Sequence, residues 1–151
     1  MATVQQTLLY AGLMLVVGLG IPIFAALNGG LATRLQSPML ASSVALLAAI
    51  VIVAGALFST EGLPRFEFDG SIPFWYYLGG VFVALYILGM TFIAPRFGVG
   101  NAVAFVLLGQ MISMALIDHF GGFGAAHYPV TPVRLTGLAL MAVGVFLAVR
   151  R

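Results

Sequence analysis

Polar positions are so sparse along this chain that they divide it into five long apolar runs, each of the length that crosses a bilayer. About 20 apolar residues suffice, because about 30 Å of hydrocarbon is covered at about 1.5 Å per residue. The runs predict helices over residues 4–27, 39–58, 72–94, 98–117 and 133–149. The expected fold is an all-α integral membrane protein with five transmembrane helices in a single membrane domain, residues 1–151.

Local signals mark where these helices begin, bend and end. Pro22 removes one hydrogen bond from the first helix and predicts a kink or local unwinding. Asn28, Gly29 and Gly30 follow, and two readings stand side by side. They form a C-cap, since Gly and Asn tolerate the left-handed conformation, or they break the helix so that its backbone and the Asn28 amide face a cavity. Ser37 and Pro38 supply an N-cap and a first-turn proline for the second helix. Along it, Ala41, Ala45 and Ala49 form a small-residue stripe suited to close helix contact. Ser42 and Ser43 can bond back to their own helix or across to a neighbour. The polar run over residues 59–71, with Glu61, Arg65, Glu67 and Asp69, reads as a solvated loop.

The third helix opens on Phe74, Trp75, Tyr76 and Tyr77, an interfacial aromatic belt in which Trp75 could also stack on a substrate. Gly79, Gly80 and Ala84 suggest a close crossing, and Pro95 is expected to end this helix. The turn Pro95-Arg96-Phe97-Gly98 is short enough to make the third and fourth helices an antiparallel hairpin. The segment over residues 120–132 is rich in Gly and Pro and reads as a linker before Thr131-Pro132 starts the fifth helix. There Gly137, Gly144 and Ala148 again predict helix contact.

Composition sharpens the class. The 151 residues are 62% hydrophobic and 7% charged, with a mean hydropathy of +1.16, against roughly 25% charged residues in a soluble domain. All basic residues are arginines at segment ends, so the basic balance reports topology and not a nucleic-acid surface. No cysteine is present, which excludes disulfides, thiolate metal sites and a cysteine nucleophile. The first nine residues lack Lys and Arg, and the apolar run that follows exceeds the roughly 7 to 15 residues of a signal h-region, so it reads as a retained helix.

An odd number of spans puts the termini on opposite sides. Arg34, Arg96, Arg150 and Arg151 then face Arg65 and Arg134 across the membrane, a weak bias favouring a cytoplasmic C-terminus. A weak bias leaves open insertion in both orientations, and two inverted copies would build from two chains the inverted repeat that many secondary transporters build from one.

Candidate chemistry is thin. Asp118 and His119 are adjacent, so their side chains diverge on a helix, and His127 lies across a glycine-rich loop. No metal-ligand, phosphate-cradling or nucleophile motif is present. An enzyme is not expected, nor a cofactor or a metal. The fourth run is more informative. Asn101 and Asp118 mark its two ends, about 26 Å apart. Gln110 lies near its middle, with Ser113, Met114 and Ile117 on the same face. Gln110 is placed either to bond a polar solute at the midplane or to bond another helix. Asp118 is a helix-end anchor or a proton-coupling carboxylate.

The set Asn28-Gly29-Gly30-Leu31, Ser37-Pro38, Trp75 with Gly79-Gly80, Pro95-Arg96-Phe97-Gly98, Gly109-Gln110 and Ile117-Asp118-His119-Phe120-Gly121 resembles the YdcZ-like small inner-membrane proteins of the drug/metabolite transporter superfamily. The resemblance covers essentially the whole chain. It implies a multi-pass protein of the bacterial inner (cytoplasmic) membrane, with a transport role and paired or dual-topology assembly. Small multidrug exporters of that superfamily carry a buried glutamate in helix one, whereas nothing acidic precedes Glu61 here, so proton-coupled export of cationic drugs by that mechanism is not implied.

These readings converge on a small secondary transporter of a small organic solute. It would work as an antiparallel homodimer, or beside a close homologue, in the lipid bilayer, with Asn28, Trp75, Asn101, Gln110 and Ser113 contacting substrate and Asp118 available for proton coupling. The alternative is a non-transporting membrane subunit or scaffold. The lack of a mid-membrane charge favours a neutral or zwitterionic solute.

Overall fold

The computed structural model describes residues 4–62 and 72–149. Arg65, Glu67 and Asp69 of the polar loop, together with Arg150 and Arg151, lie outside the described residues. The described chain is helical, with five helices long and apolar enough to cross a membrane. They are α1 (Val4–Leu35), α2 (Pro38–Thr60), α3 (Gly79–Phe97), α4 (Val99–Phe120) and α5 (Pro132–Val149). A 3-10 turn, Phe74–Leu78, leads into α3. The chain divides between Arg96 and Phe97 into two compact units, the first holding α1, α2 and nearly all of α3, the second α4 and α5.

Helix α1 corrects two expectations. It runs unbroken past Pro22 and through Asn28, Gly29 and Gly30 to Leu35, so the Asn-Gly-Gly stretch neither caps nor breaks the helix. In hydrocarbon every backbone group left without a helical partner is costly, which favours continuity wherever neighbours allow it. Gly29 has a different use. A Cβ built on it would lie 2.9 Å from Cγ of Pro95, so the missing side chain admits the proline ring of α3 against the α1 backbone.

The helix ends instead at Gln36. The amide of Gln36 donates to the Thr33 carbonyl at 3.3 Å and that of Ser37 to the Ala32 carbonyl at 3.2 Å, the paired bonds of a Schellman C-cap. Gln36 takes the left-handed position of this motif, with φ 51. Ser37 then caps α2 by accepting from the Leu40 amide at 3.2 Å, with Pro38 in the first turn. The two helices thus turn back on one another and pack together.

Pro95 also departs from expectation, since α3 continues through it to Phe97. A proline costs one donor and frees one carbonyl. Here the freed carbonyl is that of Thr91, and the cost falls near the helix end; beside it the Arg96 guanidinium donates to the Phe92 carbonyl and lies over the Phe92 ring, 4.0 Å from its centroid. The actual stop is Gly98, whose φ of 96 is open to glycine alone in practice.

In the second unit α4 packs on α5. Gly121 ends α4 in the left-handed conformation, φ 61. Thr131 starts α5 by accepting from the Arg134 amide at 3.2 Å.

The two neighbouring glycines of α1 give a matched test. Gly29→Ala should destabilise the folded protein by about 1 to 3 kcal/mol, because the proline ring cannot rotate away from an added methyl. Gly30→Ala meets nothing within 4 Å and should be neutral or mildly stabilising. Thermal unfolding of both variants in one detergent checks the difference.

Candidate functional site

Two stripes of the first unit face each other. On α1 the buried residues are Ala25, Asn28, Gly29 and Ala32; on α3 they are Ile87, Met90, Thr91 and Ala94. Both sets follow the same three-and-four spacing. Contacts ascend the two helices in the same order, which makes them parallel: the Phe24 and Tyr86 rings stack at 6.4 Å, Asn28 meets Thr91, and Gly29 meets Pro95.

At the centre of this seam lies a short polar relay. The Thr91 hydroxyl donates its one proton to the Ile87 carbonyl of its own helix at 2.7 Å. It can therefore only accept from Asn28, whose Nδ2 approaches to 2.5 Å, and this fixes which end of the amide faces α3. Asn28 is 5% exposed and Thr91 1%. A polar pair so deeply buried among alanines, a methionine and an isoleucine is satisfied internally and joins two spans far apart in sequence.

The relay separates two spaces. Asn28 borders an apolar groove of about 450 Å³ between α1 and α2, whose walls include Phe24, Leu27, Leu31, Ala45 and Ala48. Thr91 borders a more polar cavity of about 340 Å³ lined by Ala32, Thr33, Gln36, Pro38, Pro95 and Arg96. Two further polar atoms near these helices, Ser42 Oγ and Tyr86 OH, are buried with no hydrogen-bond partner among the described residues. Ser43, by contrast, bonds back to the Met39 carbonyl at 2.9 Å.

Trp75 sits elsewhere. It is 48% exposed in the 3-10 turn, packed edge-on to Phe74 at 5.5 Å. It precedes Thr91 by roughly 24 Å of helix, so Asn28 and Trp75 do not share a pocket in this unit.

The second unit holds the remaining sequence candidates. Asn101 is spent on the turn that precedes α4, donating from Nδ2 to the Phe97 carbonyl at 2.8 Å. Gln110 and Ser113 are exposed, one helical turn apart in the middle of α4. Among the described residues neither makes a hydrogen bond through its side chain. Asp118 accepts from Nη2 of Arg134 at 2.6 Å, both side chains about a quarter exposed. The loop between α4 and α5 is tied down beside this pair: the Tyr128 amide donates to the Asp118 carbonyl at 2.8 Å and the Val130 amide to Nδ1 of His119 at 3.2 Å. Asp118 and His119 therefore anchor the loop in this structure. The rings of His119 and His127 lie 6.4 Å apart, but among the described residues no three of His, Asp and Glu cluster as a metal would require.

Sequence reasoning singled out amides and overlooked Thr91, Tyr86 and Arg96. Thr91 had a readable signal, a hydroxyl at helical spacing from Ile87 and Ala94 within an apolar run. It is quiet because threonine normally satisfies itself on the preceding turn.

Comparison with known proteins gives one assignment. A family model described as "Putative inner membrane exporter, YdcZ" matches residues 9–147. No curated protein and no solved structure matches the chain.

A double-mutant cycle of Asn28→Ala and Thr91→Val tests the relay. The expected coupling is about 0.6 to 1.7 kcal/mol, the range measured for hydrogen bonds between membrane helices. Thr91→Val should be the costlier single change, since it strands a buried amide donor, whereas Asn28→Ala leaves the Thr91 hydroxyl bonded to Ile87. Unfolding free energies of the four proteins in mixed micelles would measure both quantities.

Proposed function

Because the chain belongs to the YdcZ family of inner-membrane exporters, we propose that it is a small secondary transporter moving a small organic solute out of the cell as an antiparallel homodimer. It is a multi-pass inner-membrane protein, and export by such a protein is movement of a solute, not chemical conversion of it. The observation that carries the dimer is Gln110. Its amide stands exposed in the middle of an apolar helix and has no hydrogen-bond partner among the described residues. In hydrocarbon such a group costs several kcal/mol, and the cost is removed when a second chain or a polar solute receives it. Ser113 stands on the same face and serves the same role.

The long apolar surface of α1 supports the same reading. Between Val4 and Gly20 every residue is exposed, and Cβ atoms added at Gly12, Gly18 and Gly20 would meet nothing within 4 Å. Small residues left open on a transmembrane helix suit close approach by another helix. In this reading Asn28, Gln110 and Ser113 are the side chains that meet the solute, and the inverted copy supplies the second set of helices. Trp75 and Asn101 stand toward the ends, and the Asp118–Arg134 pair holds the α4–α5 loop.

Reporter fusions at the C-terminus, one active only in the cytoplasm and one only outside it, should both give signal if both orientations insert. Signal from one side alone would overturn the inverted dimer. Gln110→Leu should lower export at least tenfold in a vesicle assay without loss of membrane expression. Unchanged export in that variant would overturn the site proposed, whereas no export by the unaltered protein would favour a scaffold role.

A further inference from the structure

The cavity beside Thr91 has a chemistry that the export reading leaves unspecified. Its polar lining consists of Thr33, Gln36, Thr91 and Arg96. Two of these are already saturated by their own helices: Thr33 donates to the Gly29 carbonyl at 3.0 Å and Thr91 to the Ile87 carbonyl at 2.7 Å. Gln36 and Arg96 remain as the groups able to address a ligand.

Gln36 occupies a position where glycine is the ordinary choice. A left-handed C-cap residue with a side chain costs of order 1 kcal/mol or more, and glycine would complete the same turn at no such cost. The chain carries a glutamine instead, and Gln36 is among the residues that line the cavity. A residue that keeps a long amide at a strained position beside a pocket points to a use for that amide.

Arg96 is oriented and not free to wander. One guanidinium nitrogen is held by the Phe92 carbonyl and its plane lies over the Phe92 ring, which leaves the remaining donors of its fork for something else. Among the described residues no carboxylate opposes it. Among the described residues of this unit the only acidic side chain is Glu61, just past the far end of α2, about 34 Å from Pro38 along that helix. Arg34, at the end of α1, adds further positive charge at the cavity's end of that helix.

The geometry points to an oxyanion site: Arg96 and Gln36 bind the carboxylate or phosphate group of a small organic anion in this cavity. A guanidinium fork matches the two oxygens of a carboxylate or phosphate, and a side-chain amide adds a neutral donor. The volume of about 340 Å³ lies at the small end of ligand pockets, which suits a metabolite of modest size. This deepens the export reading and depends on it for calling the anion a substrate. It differs from the expectation of a neutral or zwitterionic solute, because the counter-charge lies at a helix end and not at the midplane. The same chemistry would recognise the phosphate of an anionic lipid headgroup.

Binding can be tested apart from transport. Purified protein in neutral detergent is titrated with sodium benzoate and with glycerol 3-phosphate, beside benzyl alcohol and glycerol as neutral counterparts, and the unfolding temperature is followed. At least one anion should stabilise the protein saturably and its neutral counterpart should not. Arg96→Gln should weaken that response at least tenfold, Gln36→Ala severalfold, and Arg34→Gln, whose charge lies outside the cavity lining, by less than twofold. Arg96→Lys keeps a charge without the fork and guards against misfolding of the glutamine variant; it should retain an intermediate response. Equal responses in wild type and Arg96→Gln, or none in wild type in either this titration or the lipid arm, would overturn the site. In the lipid arm, stabilisation on moving from phosphatidylcholine to phosphatidylglycerol nanodiscs that is lost in Arg96→Gln, with no response to the soluble anions, supports the site with a headgroup as its occupant. Anion binding that persists in a protein shown not to export anything would overturn the transport reading and leave the site standing.

Discussion

Hydrocarbon supplies neither donors nor acceptors, and most of this structure follows from that single deprivation. It keeps α1 helical across a proline and an Asn-Gly-Gly stretch that would end many helices in water. The same pressure makes hydroxyls fold back on their own turns, as Thr33, Ser43, Ser59, Thr60 and Thr136 all do. A side chain that does not fold back must reach another helix. Asn28 does so, and its partner Thr91 is prepared to receive it because the proton of that hydroxyl is already committed.

The groups that escape this rule are therefore the ones to read as functional. Gln110 has no partner among the described residues, and Ser42 Oγ and Tyr86 OH are buried without one. A soluble protein could hydrate such atoms; a membrane protein must give them a second chain, a solute or a trapped water. Arg96 is the converse case. Its guanidinium is braced by its own helix, yet it meets no carboxylate among the described residues and keeps most donors of its fork uncommitted.

Much of this was legible in the residues themselves. Five spans followed from run lengths, and the starts of α2 and α5 from Ser37-Pro38 and Thr131-Pro132, because capping is local chemistry. The ends were harder. Asn28-Gly29-Gly30 carries the same letters as a C-cap, and only the presence of Pro95 against Gly29, a contact distant in sequence, shows that the glycine provides clearance and not a turn. The real cap at Gln36 carried no sequence signal at all, since glutamine is a poor candidate for a left-handed residue. The candidate site was half visible for a similar reason. Amides advertise themselves in an apolar run, whereas Thr91 is indistinguishable from a hydroxyl serving its own helix until Asn28 is seen against it.

The Gly29–Pro95 contact has one more consequence, and it is mechanical. Elsewhere in the seam between α1 and α3, long side chains can take up a small shift by changing rotamer. Here one partner has no side chain and the other has a closed ring, so the joint has almost no slack. A displacement of α3 at Pro95 must be handed to the α1 backbone nearly undiminished, one residue from Asn28. On the transport reading proposed above, that makes the joint a fulcrum: movement at the polar cavity and movement at the apolar groove become two arms of one lever.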